Sequence, residues 1–133
     1  LVLLLKMLSS VNDERIFEVY RESKRNVSPT PTTFLLVLSV AAFHYAAYVA
    51  KEMWRDMHTT GTIPGPDALH FMLKAVSRDP QVAYEVFEVI RQSNLKFPPG
   101  SESCLIEAFG RSEDTRTKIS QVRNYFRSTP ERH

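Results

Sequence analysis

Three prolines punctuate this chain at a nearly constant interval. Pro31, Pro66 and Pro99 lie 35 and 33 residues apart, and each opens a new stretch beside a turn-forming segment. The stretch from Pro31 to Gly65 runs through a long apolar segment, continues through Ala50, Met53, Trp54 and Met57, and closes on Thr-Gly-Thr-Ile-Pro-Gly. Ala83, Val86, Phe87 and Ile90 repeat that second stripe 33 residues later. The shared spacing, i, i+3, i+4, i+7, marks one face of a helix. A period of roughly 34 residues with two apolar faces per unit is the signature of stacked helix pairs.

The rest of the chain is read around that period. Residues 1–10 are mostly apolar, with Lys6 the one charge, and resemble the end of a helix. A chain beginning Leu-Val-Leu-Leu-Leu rather than on Met reads as a fragment or a processed form. Asn12 or Asp13 is placed to cap the next helix. That helix carries Ile16, Phe17, Val19 and Tyr20 on one side and charged residues on the other. Thr30-Pro31 and Asp79-Pro80 are cap-plus-proline starts, since proline in the first turn loses no hydrogen bond there. Between Thr32 and Thr60 there is no Gly or Pro. Two helices in that unit require a bend near His44-Tyr45 that no breaker residue announces, and one long rod is the competing expectation.

Beyond the loop Thr62–Pro66, a helix over Asp67–Ser77 has Leu69, Met72, Leu73 and Val76 on one face. Phe97-Pro-Pro-Gly100 forms the next loop, after which Ser101 can cap a helix containing Cys104, Leu105, Ile106 and Phe109. Gly110 to Asp114 breaks that helix, and a last one carries Ile119, Val122 and Phe126. No stretch alternates with period two for long enough to be a strand. The expected fold is all-α, a short α-solenoid of antiparallel helical hairpins. It would form one continuous domain, with a partial unit at 1–30 and repeats at 31–65, 66–98 and 99–133. In such an array each unit buries its stripes on its neighbours. If Trp54 is fully enclosed, Trp54→Ala should cost ~3–5 kcal/mol.

Composition sets the limits of function. Apolar residues make up 43 % and charged residues 24 % of 133, enough for a real core. A formal charge of +2, from 17 basic and 15 acidic residues, does not by itself indicate nucleic acid. Cys104 is the single cysteine, so no internal disulfide forms. His44, His58, His70 and His133 are far apart, with no pair at metal-ligand spacing. No Gly-rich phosphate loop or nucleophile elbow is present. Neither an enzyme nor a metal or other cofactor is expected.

The repeats resemble the pentatricopeptide repeat family, and tetratricopeptide-type repeats as a second choice. The likeness rests on Phe34, Ala50, Trp54, Met57, Gly61 and Pro64, and on Leu69, Leu73, Ala83 and Phe87 in the next unit. Leu105-Ile106 and Gly110 continue it in the third. The Gly-Thr-Ile-Pro ending favours the first family. The resemblance implies a right-handed superhelix and RNA work in a mitochondrion or plastid, with one base read per repeat by a residue pair. The matching pairs here are Leu35 with Gly65, His70 with Pro98, and Ser103 with His133. Leucine, glycine and proline side chains offer a base no hydrogen bond. Of the reading positions, which include His70, only Ser103 is a usual type of reader, and RNA would otherwise be held through its backbone by Lys74, Arg78, Arg111, Arg116, Lys118, Arg123 and Arg127.

The leading expectation is therefore a non-catalytic, RNA-contacting structural component of an organellar ribonucleoprotein, with the ribosome as the first choice. The alternative is a protein–protein scaffold or accessory subunit of an organellar complex, docking through Leu1, Leu4, Leu5, Leu8, Phe43 and His44. Phe34 to Ala50, at 17 residues, touches the lower limit for a membrane span, a third and minor reading.

Overall fold

In a computed structural model that describes residues 2–128, the chain is helical, with no strand among those residues. The elements are α1 (Val2–Ser10), α2 (Arg15–Ser23), α3 (Pro31–His44), α4 (Ala47–Thr59), α5 (Pro66–Val76), α6 (Pro80–Gln92), α7 (Ser101–Phe109), the single turn α8 (Glu113–Arg116) and α9 (Ile119–Ser128). Proline occupies the first turn of α3, α5 and α6. The Thr30 hydroxyl accepts from the Thr33 N–H at 3.3 Å, and Asp79 accepts from the Val82 N–H at 3.2 Å, so both caps form. Ser101 differs from expectation. It is the first residue of α7, and its hydroxyl donates back to the Pro98 carbonyl instead of capping.

The long apolar stretch is two helices, not one rod. Tyr45 takes a left-handed conformation, φ 54° and ψ 42°, between α3 and α4. The Ala46 N–H reaches the Ala41 carbonyl at 2.9 Å and the Tyr45 N–H reaches that of Ala42 at 3.4 Å. This Schellman closure ordinarily uses Gly or Asn, because a side chain at positive φ crowds the backbone. The same closure ends three other helices, at Asn12, Gly61 and Asn94. These turn residues keep the period: Asn12 and Tyr45 are 33 residues apart, and so are Gly61 and Asn94.

Sequential helices pack as pairs, and the pairs stack. α1 lies on α2, α3 on α4 and α5 on α6. Along the stack α1 contacts α3, α3 contacts α5 and α5 contacts α7, while α4 contacts α6. This arrangement is consistent with a generic helical-repeat architecture. α3 is central, touching α1, α2, α4 and α5, which explains why it is apolar around its whole circumference. Phe34, Val37, Leu38, Val40 and Ala41 are all buried in it. No helix among the described residues is long and apolar enough to cross a membrane.

The two matching stripes are filled unequally. Ala83, Val86, Phe87 and Ile90 are all buried. Phe87 stacks against Phe97, Phe109 and Tyr125 with ring centroids 5.9, 6.3 and 5.8 Å away. Trp54 is only partly buried, its ring 4.7 Å from that of His58 at the edge of a groove containing Ile63 and Leu95. The condition of full enclosure is not met. Trp54→Ala should therefore cost about 1–2 kcal/mol, roughly half the transfer energy of a fully buried ring, in a thermal melt.

Candidate functional site

The residues expected to hold RNA spread over α5, α7, α8, α9 and three turns. His70 is exposed on α5 with its ring beside Phe71, and Lys74 and Ser103 are exposed on α5 and α7. Arg111 pairs with Glu107 at 3.4 Å. Arg116 pairs with Glu113 at 3.5 Å and donates to the Gly110 carbonyl. Lys118 lies over the Tyr84 ring, 5.1 Å from its centroid. Arg123 and Arg127 are exposed one turn apart on α9. Of the expected base-reading partners, Pro98 is buried and Leu35 packs on the core, while His133 lies outside the described residues. Arg111, Arg116 and Lys118 thus already have protein partners.

The expected docking residues separate into two sets. Leu5 and Leu8 are buried in the chain's own core, on the side of α1 that faces α2 and α3. Leu4 and Phe43 are exposed, and Leu1 lies outside the described residues. The apolar surface continues onto Val2, Leu3, Met7 and Val11, of which Leu3 is 72 % and Val11 70 % exposed. Elsewhere on the described helices the exposed large apolar side chains are single, Phe43 on α3 and Tyr48 on α4. The exposed side of α1 carries no mark in the sequence, because the first turns of the helix are apolar all round and give no preferred side.

His44 is held rather than free. Its Nε2 is 2.6 Å from the Asn12 carbonyl, and its Nδ1 is 3.4 Å from a Glu14 carboxylate oxygen. It lies on an edge where the turns of three successive pairs come together. There the Arg78 guanidinium lies flat on Tyr45, with its central carbon 3.7 Å from the ring centroid. Arg78 is one 33-residue period beyond Tyr45, which is one period beyond Asn12. The cleft at this edge has a volume of about 540 Å³ and is lined among others by Glu14, His44, Tyr45, Tyr48, Arg78 and Asp79. Its floor includes the buried Phe17, and Tyr48 is 61 % exposed on its rim.

A second polar cluster joins α2 to α4. The Tyr20 hydroxyl donates to Asp56, Arg21 reaches Glu52 at 2.8 Å, and Lys24 bridges Glu52 at 3.3 Å and Asp56 at 3.0 Å. Burial pushes the Tyr20 hydroxyl far up, and the hydrogen bond to Asp56 adds to it. Burial opposes ionisation of Glu52 too, but Arg21 and Lys24 outweigh it and hold the carboxyl below the usual range. These five side chains satisfy one another and leave no group directed at a ligand.

Little in the described residues suggests chemistry. Burial pushes the Cys104 thiol up, with Glu107 adding to the effect, so thiolate is disfavoured there. No three His, Cys, Asp or Glu side chains among the described residues converge on a metal-sized site. In comparisons with known proteins, no family model matches the chain and no curated protein matches it.

Proposed function

We propose that this chain is a non-catalytic helical scaffold, an accessory subunit that docks other proteins in a larger assembly. Its helix pairs would be antiparallel hairpins in a right-handed superhelix. The observation that carries the reading is the second face of α1, where Val2, Leu3, Leu4 and Met7 remain exposed while Leu5 and Leu8 fill the core. Monomeric proteins rarely expose contiguous apolar patches of this kind without a partner. Within the chain, α3 is flanked by α1 and α5, and α5 by α3 and α7, whereas α1 has α3 on one side alone among the described residues. A helix with an apolar stripe fits the open side of α1. The charge pattern supports protein over RNA, since Arg111, Arg116 and Lys118 among the candidate phosphate-binding cations are engaged by carboxylates or a tyrosine ring. A mitochondrial or plastid address belongs to this reading through the repeat resemblance alone.

Sizing chromatography of extracts from the cells that make the chain tests this. The chain should migrate in an assembly far larger than its own 15.3 kDa, and RNase should leave that assembly intact. The double substitution Leu3→Lys and Met7→Lys should release it as the free chain without lowering its melting temperature, because both residues are solvent-exposed. Collapse under RNase would instead support an RNA-held particle, and migration as a free chain before any substitution would defeat the scaffold reading.

A further inference from the structure

We propose that the cleft at the turn edge is a recognition site for a protein segment carrying a single carboxylate beside an apolar or aromatic residue, with the stacked Arg78–Tyr45 pair as its receptor. The proposal deepens the protein-docking reading and rests on it, but it concerns a surface separate from the α1 face. A failure here leaves the chromatographic test of α1 standing.

Four observations support the site. First, the Arg78 guanidinium is laid flat on Tyr45 at 3.7 Å, which fixes the plane of its five N–H donors. Second, that guanidinium has no ion-pair partner among the described residues, whereas its neighbour Lys51 is engaged by Glu85 at 2.8 Å. A planar, oriented and unpaired guanidinium matches a carboxylate through two parallel hydrogen bonds. Third, the platform is held by a backbone geometry that disfavours the residue providing it. Tyr45 sits at φ 54°, where glycine would be easier, so the fold alone does not ask for a tyrosine at this turn. Fourth, Tyr48 is 61 % exposed on the same rim, with the Arg21 guanidinium 6.0 Å from its ring centroid, so an aromatic ring stands beside Arg78 at the cleft. Tyr and Arg are also the residue types that dominate protein-binding hot spots.

The charges around the platform select the partner. Glu14 and Asp79 line the cleft with Arg78, and Glu85 already occupies Lys51. One negative charge brought to Arg78 is accommodated, while a run of phosphates would meet these carboxylates. The site therefore suits an acidic side chain on a peptide better than an RNA backbone.

The test is an NMR titration of the Arg78 Nε–Hε resonance with acetyl-Ala-Phe-Glu-Ala-amide, its glutamine counterpart and an octameric uridine oligonucleotide. The glutamate peptide should bind at about millimolar concentration, and roughly tenfold more tightly than the glutamine peptide, the margin of a charge-assisted over a neutral hydrogen bond. Arg78→Gln should abolish the difference. Tyr45→Gly should abolish it while keeping the melting temperature, since glycine adopts the left-handed turn freely. Equal binding of the two peptides, or binding of neither, overturns the proposal. Tighter binding of the oligonucleotide overturns it in favour of RNA. A Tyr45→Gly variant that unfolds shows that the ring serves the fold rather than a ligand, and overturns it as well.

Discussion

Phe87→Ala is expected to destabilise the chain by about 3–5 kcal/mol, the cost of deleting a fully enclosed aromatic ring. Phe87 is 1 % exposed, and its ring meets those of Phe97, Phe109 and Tyr125. Through these contacts one side chain of α6 ties together the loop after it, α7 and α9. Rings at these separations and tilts add roughly 0.5–1.5 kcal/mol per pair beyond their burial. A whole domain is stable by only about 5–15 kcal/mol, so the substitution removes a large fraction of what holds the second half of the chain. In a thermal melt the midpoint should fall by roughly 10–20 °C. A fall no larger than that of Trp54→Ala would mean that the aromatic cluster does not carry the weight assigned to it.

Asp56→Ala is the second large effect, about 2–3 kcal/mol, for a different reason. Tyr20 is buried and donates its hydroxyl to Asp56, so removing the carboxylate strands a buried donor. Adding Tyr20→Phe to Asp56→Ala should recover most of the loss, because removing both partners is far cheaper than orphaning one. The same cluster sets the pH response. Glu52 is held below the ordinary carboxylate range, so its contribution is complete above the unfolded value of about 4.3 and is lost as pH falls through the depressed folded value. Tyr20 is raised, so its contribution is complete below the unfolded value of about 10 and is lost as pH rises beyond it. Melting temperatures across pH should therefore show a plateau with an acid and an alkaline decline. Glu52→Gln should soften only the acid side, and an unchanged acid decline in that variant would remove Glu52 from the account.

Much of the helix order was legible because it rests on local chemistry. Thr30-Pro31 and Asp79-Pro80 announce their helices, and the stripe at Ala83, Val86, Phe87 and Ile90 announces its buried face. The break at Tyr45 was legible only through the period, since aromatic residues rarely close a helix and nothing in His44-Tyr45-Ala46 marks a turn. The left-handed positions at Asn12, Gly61 and Asn94 carry the usual residue types, and their 33-residue offsets give the position of the break. Trp54 misled because a helical stripe gives the direction of a side chain but not how far its neighbour covers it. The candidate sites were less legible still. The exposed side of α1 and the contact of Arg78 with Tyr45 depend on which turns lie side by side, a property of the stacked pairs and not of any one segment.

The central claim is that helix pairs recurring every thirty-odd residues stack as a row of units, with the outer face of α1 exposed. Hydrogen exchange compared between the unaltered chain and Phe87→Ala tests the row most directly, because stability in such an array is a sum of unit and neighbour terms. The account predicts that amide protection falls most in α5, α6, α7 and α9, and progressively less through α3 and α4 to α1 and α2. An equal loss of protection in every helix would instead describe one closed core, and would contradict the stacked-pair account.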